Sequence, residues 1–196
     1  MNILVITPTD REYANMKAAI AGKSELRHTY TLAQCGVGKA AAATVTASAI
    51  AKSEQPFNLV VVIGFAAGTL GFHQGEIVSP CEARYHDCDV PEGFIPELTN
   101  PFSLAGEEDI TVFTGDSFVN ADSIVAIKQR FGVERAIFDM EITAVRIAAE
   151  LCGGIPVAAV KMISDVPEDG HTEHSYDAFA DSHPDFTPIL DVIERF

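Results

Sequence analysis

Basic residues are scarce in this chain: 13 Lys and Arg stand against 28 Asp and Glu over 196 residues, a formal net charge of −15. That balance excludes a nucleic-acid partner, because phosphate backbones are bound by clustered cations. No apolar run reaches the ~18–20 residues that a membrane-spanning helix needs. No basic segment precedes the apolar Ile3–Ile6 stretch, so the N-terminal region reads as a first strand and not as a secretory signal. The four cysteines (Cys35, Cys81, Cys88, Cys152) form no CxxC pair. Reduced thiols in a cytoplasmic protein are the simplest reading, and a disulfide framework is not expected at this length. There is no internal repeat, no low-complexity segment and no linker that would divide the chain. Residues 1–196 are therefore expected to form one domain, with 47% hydrophobic residues to fill one core.

Familiar cofactor signatures are missing too. Gly36-Val37-Gly38-Lys39 has the look of a phosphate loop, but its glycine spacing is wrong and Ala40 follows the lysine. No G-x-G-x-x-G follows a strand. Gly64-Phe65-Ala66-Ala67-Gly68 has alanine where a nucleophile elbow needs serine. His86-Asp87-Cys88-Asp89 and the His171/His174 pair invite a metal reading, but their spacing on loop-like segments reads better as solvated loop.

What is present is alternation of strand-like and helix-like segments. Strands are expected at Asn2–Thr7, His28–Gln34, Asn58–Ile63, Glu76–Ser79, Ala83–Tyr85, Asp109–Thr114, Val133–Phe138 and Ile155–Ile163. Helices are expected from Thr9 to about Ala21, from Gly36–Lys39 to about Lys52, over Ala121–Phe131 and over Glu141–Cys152, with an interrupted helical tail from Asp177 to Phe196. Gly64–Gly68 reads as a tight turn after its strand, and Cys88–Glu108 as a long loop. Strands alternating with helices predict an α/β domain on a mostly parallel sheet.

In such a fold ligands bind beyond the carboxyl ends of the strands. Five strand ends deliver polar or glycine-rich residues there. Glu12 stands three residues after Thr9, the capping-box spacing, and is either a helix cap or a site carboxylate. Asp165 follows the buried run VAAVKMIS and is either an N-cap or Asx turn ahead of Pro167, or a partly desolvated acid. Asp139 and Glu141 flank a strand-to-helix junction, FDMEITAV, where one carboxylate would serve the helix start and two ask for a further role.

Taken in order, ILVITPTDREY (3–13), CGVGKAAAA (35–43), VVIGFAAGTL (61–70), GEIVSPCEARYHDCDV (75–90), TGDSFVN (114–120), FDMEITAV (138–145) and VKMISDVPE (160–168) make the chain resemble the 5′-methylthioadenosine/S-adenosylhomocysteine nucleosidases, within the purine nucleoside phosphorylase superfamily. The resemblance runs from end to end. It implies a twisted mixed central sheet flanked by helices, a homodimer, and hydrolysis of the N-glycosidic bond of a 5′-thio-substituted adenine nucleoside without metal or organic cofactor. By position it implies Asp165 as the acid that protonates adenine N7, with Ser164 beside it, and Glu12 as the base that activates water. Glu141 and Met140 would contact the ribose. Phe118 would stack on the purine, Val119 would offer its backbone, and Tyr176 would lie over base and sugar. Gly64, Phe65 and Lys161 complete the substrate-binding set.

The chain departs from the family pattern at five places. Asp139 stands where glutamate is usual. Phe65-Ala66-Ala67-Gly68 replaces Ser-Ala-Gly-Gly. Lys161 replaces arginine, and the 22–35 region and the loop after Val90 look trimmed. A futalosine-type hydrolase, a phosphorylase using phosphate in place of water, and a non-catalytic nucleoside-binding protein are the alternatives.

Overall fold

The computed structural model describes residues 1–90, 93–96, 98–102 and 107–196, with side chains described for all of these except 107 and 108. In chain order the elements are β1 (Asn2–Thr7), α1 (Asp10–Gly22), β2 (Thr29–Gln34), α2 (Lys39–Lys52), β3 (Leu59–Gly68), β4 (Ile77–Val78), β5 (Pro80–Tyr85), β6 (Glu107–Thr114), α3 (Ala121–Phe131), β7 (Ala136–Asp139), α4 (Ile142–Gly153), β8 (Val157–Asp165), a 3₁₀ turn (Pro167–Asp169), α5 (Glu173–Asp181) and α6 (Thr187–Ile193).

One mixed sheet runs β2-β1-β3-β7-β6-β5, and β8 pairs with both β3 and β4. The pairings β1–β2, β1–β3, β3–β8, β5–β6 and β6–β7 are parallel, whereas β3–β7 and β4–β8 are antiparallel. The sheet is thus mixed, as the family resemblance implied, and mostly parallel, as the alternation suggested. Its apolar strands are covered on both faces, which explains their near-continuous Val, Ile and Leu runs. One face packs Ala42, Val145 and Ala149 of α2 and α4; the other packs Met16, Ala19, Ala180, Ile189 and Ile193 of α1, α5 and α6. A smaller cluster seats α3 through Ile124 and Ile127 against Phe113 and Phe138. Among the described residues no helix is long and apolar enough to cross a membrane.

Several boundaries differ from the sequence reading. Gly64–Gly68 is not a turn: β3 continues through it, paired with β8 as far as Asp165 and with β7 through Ala67↔Phe138 and Gly68↔Ile137. Two partner strands satisfy its backbone groups, and that outweighs the turn preference of two glycines. The β3–β8 register slips between Ala66↔Ile163 and Ala67↔Asp165, leaving Ser164 as the extra residue of a bulge. Bulges re-aim side chains at strand ends. The tail is two helices, and Pro188 falls in the first turn of α6, where a missing N–H costs little. His174 lies within α5 and not in a loop. Part of the expected 88–108 loop lies outside the described residues, and β6 already begins at Glu107.

Candidate active site

Glu12 forms the expected capping box and also lines the cleft. It sits in the first turn of α1, where the Thr9 hydroxyl accepts from the Glu12 N–H at 3.3 Å. In return the Thr9 N–H and hydroxyl donate to Glu12 Oε2 at 2.8 and 2.6 Å, a full capping box. The other oxygen, Oε1, accepts from the Phe65 N–H at 2.8 Å. A carboxylate has about four acceptor positions. Three are occupied, so the carboxylate is pinned with one direction open, and only 2% of the residue is exposed. Gly64 makes room for it: a Cβ there would lie 2.2 Å from Glu12 Oε1, and its φ of +134° is one that side-chain-bearing residues rarely adopt. The residue expected to bind substrate at 64 is therefore a cradle for Glu12, and it does not line the cleft.

At the FDMEITAV junction the two carboxylates divide the work. Asp139, at the end of β7, accepts from the Thr114 hydroxyl at 2.7 Å through Oδ1 and from the Ile142 N–H at 2.9 Å through Oδ2. It thereby tethers the start of α4. Glu141 occupies the N-cap position but makes no side-chain cap bond. Its Oε1 accepts instead from the Gly38 N–H at 2.9 Å, across from the loop before α2. Burial and then the charge of Asp139 push the Glu141 carboxyl up to about 7, while the Lys161 ammonium and the Gly38 N–H pull against them.

Asp165 ends β8 just past the bulge. Burial raises its carboxyl above the ordinary range, against the Ser164 hydroxyl 2.5 Å from Oδ1 and the nearby His171. Ser164 Oγ also lies 3.2 Å from the Ala66 carbonyl, which ties the acid to β3.

Glu12, Asp139, Glu141 and Asp165 all open on one cleft of about 610 Å³, part of it open to solvent. Phe118, Val119, Met140, Ser164, Phe65 and Tyr176 line it with them. The Phe118 ring is half exposed at the rim and meets Tyr176 edge-on at 5.6 Å. Phe65 takes the position for which the resemblance implied serine. Its ring is buried edge-on against Tyr176, Phe179 and Phe186 at 6.1, 5.7 and 5.4 Å, so it anchors both C-terminal helices. Lys161, expected to touch substrate, does not line the cleft. It is fully buried beneath it, with Nζ 3.4 Å from Asp139 Oδ2. The lysine lies mid-strand on β8, and Asp139 stands between it and the cleft.

The sequence reading missed the role of the 36–39 loop. Its backbone holds Glu141, and Val37 joins the cleft wall. Lys39 then closes a clamp: its ammonium lies 2.8 Å from both oxygens of Asp87 and 3.2 Å from Asp116, and Asp87 also accepts from the Asp116 N–H at 2.9 Å. Asp87 is thus engaged in an ion pair. Among the described residues no group of three or more His, Cys, Asp or Glu could hold a metal ion.

Known proteins resemble this chain over most of its length. The 5′-methylthioadenosine/S-adenosylhomocysteine nucleosidase of Haemophilus influenzae (strain PittEE) is 30% identical over 207 residues, covering 91% of this chain and 86% of that protein. The chain belongs to the 5′-methylthioadenosine/S-adenosylhomocysteine nucleosidase family. Solved structures share the fold of this nucleosidase family member throughout. The Neisseria meningitidis 5′-methylthioadenosine/S-adenosylhomocysteine nucleosidase, in complex with methylthio-immucillin-A, superposes with a TM-score of 0.78 at 20% identity, over 100% of this chain and 99% of that one. The futalosine hydrolase of Helicobacter pylori gives a TM-score of 0.79 at 17% identity, over 99% and 97%. No protein-family model matches the chain.

Proposed function

We propose that this chain hydrolyses the N-glycosidic bond of 5′-methylthioadenosine and S-adenosylhomocysteine, releasing adenine and a 5-thio-ribose. The observation that carries the reading is the meeting of Glu12, Glu141 and Asp165 in one cleft, from three strand ends far apart in sequence. Purine loss passes through an oxocarbenium-like sugar, as glycoside cleavage does generally. Each carboxylate suits one demand of that state. Asp165, raised by burial, is the acid that protonates the purine at N7, and the Ser164 hydroxyl stabilises the carboxylate left behind. Glu12, with one acceptor direction open, takes the proton of the attacking water. Glu141 accepts from the ribose hydroxyls and sets negative charge beside the cationic sugar. Phe118 and Tyr176 stack about the base, Val119 meets it through its backbone, and Met140 lies against the ribose.

No step in this scheme needs a metal or an organic cofactor. We also place the protein in the cytoplasm as a homodimer, the oligomeric state being testable by light scattering.

The test is product chromatography after incubation with methylthioadenosine, S-adenosylhomocysteine, adenosine, inosine and futalosine, each with and without phosphate. Adenine released from the 5′-thio substrates without phosphate supports the reading. A second reading is favoured by the full-length match to a futalosine hydrolase fold. Hypoxanthine from futalosine alone would select it. Base release only with phosphate would remove Glu12 as the water-activating base, and no release from any substrate would leave a nucleoside-binding protein.

A further inference from the structure

Lys161 is a cation without an evident task in the reaction. It lies mid-strand on β8, opposite Gly64 of β3 and Val78 of β4, and none of it is exposed. Its Nζ is ion-paired to Asp139 Oδ2 at 3.4 Å but makes no hydrogen bond among the described residues. Burial opposes its charge, yet Asp139, Glu141 and Glu12 together outweigh burial and hold the ammonium above its ordinary range. A buried ion pair is often replaceable by apolar groups of similar volume without loss of stability, so packing alone does not call for a lysine here.

The groups bearing on Glu141 come from every element around it. Asp139 stands on β7, Glu12 on α1, Cys35 just past β2, the Gly38 N–H before α2, and Lys161 on β8. Among these the cation is Lys161. Without it, Glu141 would face burial and two like charges with one N–H in support.

We propose that Lys161 is the positioning cation of the cleft: from beneath, without touching substrate, it offsets the charge of Asp139 and keeps Glu141 a carboxylate able to accept from the ribose hydroxyls. The inference rests on the ribose role of Glu141. A protonated Glu141 loses acceptor capacity and presents a donor instead. Lys161 therefore sets the acid limb of kcat/KM.

The experiment is a ¹³C-carboxyl NMR titration of Glu141, assigned with Glu141→Gln, in the full chain and in four variants: Lys161→Met, Lys161→Arg, Asp139→Asn, and Asp139→Asn with Lys161→Met. It is run beside the pH profile of kcat/KM for methylthioadenosine. Lys161→Met is expected to raise the Glu141 midpoint and the acid limb together by about one pH unit or more. The activity loss is then about tenfold on the acid side and shrinks to within about threefold well above the new midpoint. Lys161→Arg keeps the wild-type midpoint. Asp139→Asn alone lowers the midpoint, and adding Lys161→Met brings it back up. That last difference carries the test if Lys161→Met does not fold.

A midpoint unmoved by loss of Lys161 in both backgrounds would overturn the proposal. So would an activity loss equal at every pH, or a Lys161→Arg variant that behaves like Lys161→Met. The titration needs no turnover. A shifted midpoint in a protein that releases no base would refute the proposed reaction and leave the charge assignment standing.

Discussion

Replacing Gly64 with alanine tests the seat of Glu12 with one methyl group. The added Cβ would stand 2.2 Å from Glu12 Oε1 and 2.8 Å from its Cδ, and contact distances begin well beyond that. The carboxylate must retreat by about 1 Å to restore van der Waals separation. Retreat breaks the 2.8 Å bond from the Phe65 N–H, a charge-assisted bond whose net value is ~1.5–3 kcal/mol. Holding alanine at a φ of +134° adds ~1–3 kcal/mol of strain. The capping box with Thr9 lies on the other oxygen and resists the movement. Misplacement of a reacting group by about 1 Å costs on the order of 10²-fold in rate. The expected result is a folded protein, destabilised by roughly 2–6 kcal/mol in urea titration, whose kcat falls about 100-fold while KM changes little. In a Glu12→Gln background the same change should add almost no kinetic loss, because the group it displaces is already disabled. If Gly64→Ala keeps kcat within about threefold of wild type, Glu12 is either not held as described or not the base.

Asp165→Asn keeps the shape of the acid and removes its proton; turnover should fall by ~10²–10⁴ while adenine binding, read by calorimetry, survives. Glu141 loses its proton near 4.5 when unfolded and near 7 when folded, so its burial erodes stability as pH rises through that window and adds no further change above it. The stability difference between wild type and Glu141→Gln should therefore move against wild type by about 3 kcal/mol between those limits, in denaturant titrations at successive pH values. Phe65→Ala removes a ring that meets three others edge-on; ~3–5 kcal/mol of stability should go with it, and thermal unfolding will report the loss.

The sequence was legible where local chemistry decides structure. Thr9 and Glu12 announced a capping box by spacing alone, and it formed. Continuous apolar runs announced strands covered on both faces, and polar residues at five strand ends marked the side of the sheet on which the cleft lies. What stayed hidden depends on contacts distant in sequence. FDMEITAV offers two carboxylates two residues apart, and nothing local says which serves the helix. The answer came from Gly38, whose N–H takes Glu141 and leaves the Ile142 N–H to Asp139. Gly64 and Gly68 carry turn chemistry, but pairing with β7 and β8 kept them in a strand. A lysine inside VAAVKMIS is itself a signal, since a charge in a covered strand must meet a counter-charge. Its depth beneath the cleft, and not at its surface, follows from the strand's register and could not be read from the run itself.

Phe65 joins two ends of the molecule: its N–H fixes Glu12, and its ring is the surface on which α5 and α6 settle. Glu12 leaves the ribosome long before Tyr176 and Phe186 do. A chain that ends ahead of α5 already carries Glu12, but it lacks the Tyr176, Phe179 and Phe186 rings against which Phe65 packs. Removing α5 and α6 would therefore take Tyr176 from the cleft wall and uncover the Phe65 ring whose N–H holds Glu12.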